Sequence, residues 1–167
     1  MSFVVTALFA YITRTVVDVE TGRFTVGVFQ DVAWAENGLK ALARAGFVPE
    51  SLTLLAKESA DVAALCTRTF GGAADRVELP AIGAVLTRGP LVEALQGAGR
   101  DLAKLGLAGT MRRVGFQSHD ARIFEVLAAR GGVLVAIRSE PRAADALAIL
   151  HSYGGGNAAI GAWKGRV

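Results

Sequence analysis

One pattern occurs twice in this chain, 108 residues apart, and it constrains the fold more than any other feature. In the first copy, residues 24–29 are a run of β-branched and aromatic side chains, which predicts a strand. Asp31 then stands where a helix N-cap belongs, and Val32, Ala35, Leu39 and Leu42 recur at helical spacing. Gly46 follows the last apolar turn as a left-handed stop, Phe47 can fold back onto the helix, and Pro49 prevents its continuation. Residues 51–57 (Ser-Leu-Thr-Leu-Leu-Ala-Lys) read as a second strand. In the second copy Leu134, Ile137 and Ser139 answer to Val26, Phe29 and Asp31, and Ala143, Leu147, Leu150 and Gly154 answer to Ala35, Leu39, Leu42 and Gly46. No gap is needed. Strand 132–138, helix 141–153 and strand 157–163 complete the echo.

Two such units predict an α+β fold, a ferredoxin-like plait of two β-α-β halves with a helical insertion between them. The first strands of the halves should pair antiparallel in the centre of the sheet. Residues 133–137 are apolar on both faces, as a strand covered on both sides should be. Thr53 and Lys57 point the second strand towards an edge. Residues 1–167 therefore read as a single domain, with halves at 24–57 and 132–163 around an insertion at 58–131. The insertion is too long for a plain loop, and helices are expected over 61–70, 82–87, 90–96, 101–113 and 118–130, the last capped by Ser118. It is expected either to cover the sheet face left open by the two repeat helices or to form an oligomer interface. Residues 3–12 offer a further strand.

Hydrophobic residues make up 52% of the chain and charged residues 20%, which suits a buried core and excludes a disordered protein. The net charge is only +3 and the basic residues are scattered, with Arg112 and Arg113 the closest cluster. That distribution argues against a nucleic-acid partner. The single cysteine, Cys66, excludes an intramolecular disulfide and a cysteine-rich zinc site, and its neighbours suit a small buried hydrophobe. The first 17 residues lack a basic leader and are interrupted by Arg14. No apolar run approaches the roughly 18 residues of a membrane span. A cytoplasmic location without membrane association is the expectation.

Few residues suggest chemistry. His119 and Asp120 are neighbours on an expected helix and would point about 100° apart, so they cannot jointly hold a metal. Asp120 suits the first turn of its helix through the dipole, and His151 suits the last turn of another. Gly154-Gly155-Gly156 follows a helix and precedes a strand, the reverse of a phosphate-binding loop. Gly97-Ala98-Gly99 lacks both the strand and the third glycine of a dinucleotide fingerprint. No carboxylate pair suggests a shared proton. No catalytic, cofactor-binding or metal residue is assigned, and no cofactor is expected. Trp34 lies off the apolar stripe of its helix and Trp163 ends the last expected strand. With Phe70, Pro80 and Phe116 they are the candidates for a contact surface or pocket.

Several short motifs carry a family resemblance. They are Gly27-Val28-Phe29, Ala35-Glu36, Ala45-Gly46-Phe47, Leu52-Thr53-Leu54-Leu55, Leu79-Pro80-Ala81-Ile82-Gly83, Gly89-Pro90-Leu91, Phe124-Glu125 and the run from Arg130 to Val135. Over roughly residues 24–160 the chain resembles a bacterial general stress protein family of the heat-induced type. The resemblance implies a stress-associated protein without assigned catalysis and supplies no catalytic residues. Members often carry a membrane-associating glycine zipper where this chain has residues 71–115, but here Arg88, Arg100, Asp101, Lys104, Arg112 and Arg113 interrupt it. The expected function is thus a non-enzymatic, stress-associated domain that self-associates into a homo-oligomer. The alternative is a small-molecule sensor with a pocket between sheet and helices near Phe70, Leu79-Pro80 and Phe116. A third class, an enzyme using His119 or His151 as a base, requires one of them to line a cavity.

Overall fold

Phe24, Val26 and Val28 of strand β2 (Gly22–Phe29) face one side of a sheet and Phe29 faces the other. That division organises the whole molecule, a computed structural model that describes residues 16–19, 22–139 and 142–155. The remaining strands are β1 (Val16–Val19), β3 (Leu52–Lys57), β4 (Asp75–Leu79), β5 (Gly83–Arg88) and β6 (Val133–Arg138). Among the described residues the helices are α1 (Val32–Arg44), α2 (Ala60–Phe70), α3 (Pro90–Gln96), α4 (Asp101–Arg113), α5 (Ser118–Ala129) and α6 (Ala143–Ser152), with a 3₁₀ turn at Pro49–Ser51. The strands form one six-stranded sheet in the order β1-β2-β6-β3-β5-β4, antiparallel at every junction.

Each strand residue is assigned a face by the two-residue period of the pleat. On one side Phe24, Val26, Val28, Leu55, Val85 and Leu134 pack under Leu91, Leu95, Leu102, Met111, Phe124 and Leu127 of α3, α4 and α5. On the other, Leu52, Leu54, Val133, Val135 and Ile137 pack under Leu39, Leu42, Val62, Leu65 and Leu150 of α1, α2 and α6. Helices α3, α4 and α5 of the insertion thus cover the face that the repeat helices leave open, while α2 joins the repeat helices on theirs. The apolar surplus of the sequence is absorbed by two cores rather than one.

The first strands of the two repeats do pair in the middle, with Val26 opposite Ala136 and Phe29 opposite Val133. The rest of the sheet departs from a four-stranded plait. β1 forms a hairpin with β2 and occupies the position next to it, where a plait would seat its fourth strand. That expected strand, 157–163, and the N-terminal strand expected at 3–12 lie outside the described residues.

The insertion is not all helical. Of residues 82–87, read as a helix, 83–87 belong to β5, which joins β4 in a hairpin turning at Pro80, Ala81 and Ile82. Val85 serves one core and Leu86 the other, which only an extended chain allows. The hairpin pairs with β3, Leu54 opposite Arg88, so β3 is interior and not near an edge. Thr53 is buried there because its hydroxyl accepts a hydrogen bond from the Leu91 amide at 3.0 Å. The true edge is β4, whose exposed Arg76 bonds both oxygens of Glu58 and reaches Glu78. Such charges discourage further strand pairing.

The cap at Asp31 forms as expected, its carboxylate accepting from the Trp34 amide at 3.0 Å. Its repeat partner does not. Ser139 instead pairs its hydroxyl with that of buried Thr25 at 2.8 Å, and α6 begins after Arg142. Gln117, not Ser118, is the N-cap of α5. α4 breaks at Gly106 (φ 79°), and the carboxylate of Glu125 caps the second segment by accepting from the Ala108 amide at 3.0 Å.

Arg142 joins the two repeats. Its Nη1 donates to the Ala45 carbonyl at the end of α1 (2.6 Å), and its guanidinium lies 4.5 Å from the centre of the Phe47 ring. A cation there also complements the helix dipole. Arg142→Ala is expected to lower stability by about 1–2 kcal/mol in urea unfolding, with Arg142→Lys recovering less than half.

Candidate functional site

Two strands of the sheet, β5 and β6, end in an arginine. Arg88 ends β5 and is followed by Gly89-Pro90. Arg138 ends β6 and is followed by Ser139, Glu140 and Pro141. β3 lies between β5 and β6 and runs antiparallel to both, so its first residue, Leu52, lies at the end of the sheet where Arg88 and Arg138 emerge. A cleft of about 340 Å³ opens there. Leu52, Pro49 and Glu50 line it from the 3₁₀ turn and β3, Phe70 from the end of α2, and Gly89, Pro90 and Glu93 from the start of α3. Its volume is at the small end of the range for ligand pockets.

Arg88 is held in place on two sides. Its Nη1 donates to the Ala73 carbonyl at 3.0 Å, and its guanidinium stands 5.5 Å from the centre of the Phe70 ring. The guanidinium of Arg138 stands 5.8 Å from the centre of the Phe24 ring. Among the described residues the ion pairs fall elsewhere, on Arg68–Glu36, Arg76 with Glu58 and Glu78, Arg113–Asp101 and Arg142–Asp145. Neither cleft arginine meets a described carboxylate. A guanidinium carries five N–H donors, and the hydrogen bond to Ala73 uses one of those on Arg88.

A second concavity of about 330 Å³ lies between α1 and α2, walled by Leu39, Ala43, Phe47 and Leu65 and sharing Pro49 and Leu52 with the first. The Glu36–Arg68 ion pair (2.7 Å) stands on its rim.

Of the five residues singled out from sequence, the four that are described do not form one pocket. Phe70 lines the arginine cleft. Phe116 is buried in the core on the opposite face of the sheet, edge-on to Phe124 with centroids 6.3 Å apart. It is a core aromatic because Phe116 and Phe124 close the gap between α4 and α5. Pro80 is exposed in the β4–β5 turn. Trp34 is 44% exposed on α1, with its ring over Gly154. Trp163 lies outside the described residues. A pocket joining Phe70, Leu79-Pro80 and Phe116 is therefore replaced by the cleft at the strand ends. Arg88 and Arg138 were not singled out from the sequence. The signal that could have found them is an arginine closing an apolar strand with a proline two or three residues further along the chain.

The histidines do not assemble either. His119 is exposed on α5, which covers one face of the sheet, and His151 lies on α6, which covers the other. Burial pushes the His151 imidazole below its ordinary value. Neither residue lines the clefts described above. Cys66 is fully buried, and burial pushes its thiol up although the nearby Arg88 charge pulls it down. Among the described residues no cluster of ligating side chains could hold a metal, and no helix is long and apolar enough to cross a membrane.

Compared with known proteins, the chain matches no family model, no curated protein and no solved structure.

Proposed function

We propose that this chain is a non-enzymatic domain that binds a small ligand through an anionic group, using the cleft at the ends of β5 and β6. Its centre is read as a plait-like core, β2-β6-β3, to which the β1 strand and the β4–β5 hairpin have been added. The observation that carries this reading is the pair Arg88 and Arg138, two guanidiniums lining one small cleft without a carboxylate partner among the described residues. Planar guanidiniums suit the two oxygens of a carboxylate or phosphate. The stress-family resemblance and a cytoplasmic setting are proposed alongside it, on the sequence alone. Self-association into a homo-oligomer, the other reading of the sequence, would use helical surfaces or a sheet edge, since helices cover both faces of the sheet.

Titration calorimetry with inorganic phosphate and a panel of small carboxylates tests the reading. At least one probe should bind, and Arg88→Gln and Arg138→Gln should each weaken it about tenfold, the equivalent of roughly 1.4 kcal/mol. Binding that survives both substitutions unchanged would place the ligand elsewhere.

A further inference from the structure

The other charges of the cleft narrow the class of ligand, an inference that rests on the anion-binding reading above. Glu50 and Glu93 line the same cleft as Arg88 and Arg138, so its formal charges cancel. Yet neither carboxylate pairs with either guanidinium among the described residues. The fold holds them apart. Arg88 and Arg138 leave strands on opposite sides of β3, Glu50 belongs to the 3₁₀ turn that leads into β3, and Glu93 sits in the first turn of α3. α3 cannot swing to bring Glu93 onto an arginine, because Leu91 and Leu95 are buried and the Leu91 amide is bonded to Thr53.

We infer that the cleft takes a zwitterion of amino-acid size, with its carboxylate on Arg88 and Arg138 and its ammonium on Glu50 and Glu93. A simple anion gains from the arginines and loses to the glutamates. A ligand carrying both charges at the right separation gains from each, and that difference is what makes a site selective. Phe70 and Pro49 supply apolar wall for the side chain of such a molecule.

The test measures binding of the common amino acids to the full chain, then compares two of them with their deaminated counterparts, L-phenylalanine with hydrocinnamate and L-leucine with isocaproate. An amino acid should bind about tenfold or more tightly than its deaminated form. The double variant Glu50→Gln with Glu93→Gln should erase that preference while leaving the deaminated acid bound at least as well. Both glutamates are exposed, so an unchanged melting temperature will show that the variant folds. If deaminated acids bind the native chain as tightly as amino acids, or if the preference persists in the double variant, the zwitterion assignment falls while anion binding stands. If phosphate, carboxylates and amino acids all fail to bind, both readings fall together.

Discussion

Phe29→Ala is expected to cost about 3–5 kcal/mol of folding free energy. Phe29 closes β2 and is fully buried, and its ring occupies the space that a side chain on Gly38 of α1 or on Gly155 after α6 would need. Two helices from different repeats therefore approach the sheet over one aromatic ring. Gly38 and Gly155, which lie against the ring, have no side chain to move into the hole. A persistent cavity adds to the lost transfer energy. Phe29→Leu should cost less, about 1–2 kcal/mol. Equilibrium unfolding in urea, with the slope compared between variants, measures both. A loss under about 1 kcal/mol for the alanine variant would mean that the ring is not the wedge between the two helices.

Gly89→Ala is the second large effect, also expected at about 3–5 kcal/mol. Gly89 stands at φ 129° and ψ 173°, a conformation open to glycine and costly for other residues by about 1–3 kcal/mol. An added methyl would also meet the Leu52 carbonyl and lie 2.5 Å from the Thr53 Cα, and backbone cannot step aside as a side chain can. Overpacking of that kind adds about 1–3 kcal/mol. Gly71→Ala is the matched control. It too has positive φ (73°), but nothing lies within 4 Å of the added methyl, so about 1–2 kcal/mol is expected. Because Gly89 lines the arginine cleft, its variant should also weaken phosphate or carboxylate binding, whereas Gly71→Ala should not. Equal losses at the two glycines would show that backbone conformation alone, without the close approach to β3, sets the cost.

The parts of this fold legible in the sequence were those written in local periodicity. Asp31, the Ala35-Leu39-Leu42 stripe and Gly46 specified α1 because cap, stripe and stop act within a few turns of chain. The pairing of β2 with β6 followed from the repeat. The β4–β5 hairpin was hidden because Val85 and Leu86 serve opposite cores, so their stretch shows no alternation of polar and apolar residues and can be read as helix. Thr53 pointed to an edge because its partner, the Leu91 amide, lies 38 residues further along the chain. The cleft was illegible for the same reason. Arg88 and Arg138 are 50 residues apart, and only the placing of β3 between their strands brings them to one end of the sheet. Phe70 was found as a bulky residue closing a helix, without any sign of the cation it stacks against.

The antiparallel pairing of β2 with β6 sets a schedule for synthesis. About 100 residues separate Phe29 from its partner Val133, and at roughly 5–20 residues per second the ribosome needs about 5–20 seconds to supply them. Until then β1 shields one border of β2 while the other has no mate, and Phe24, Val26 and Val28 wait for the helices that will roof them. A nascent chain arrested short of β6 therefore carries a half-finished sheet with an open, apolar border. The domain cannot acquire its native centre until β6 has been made.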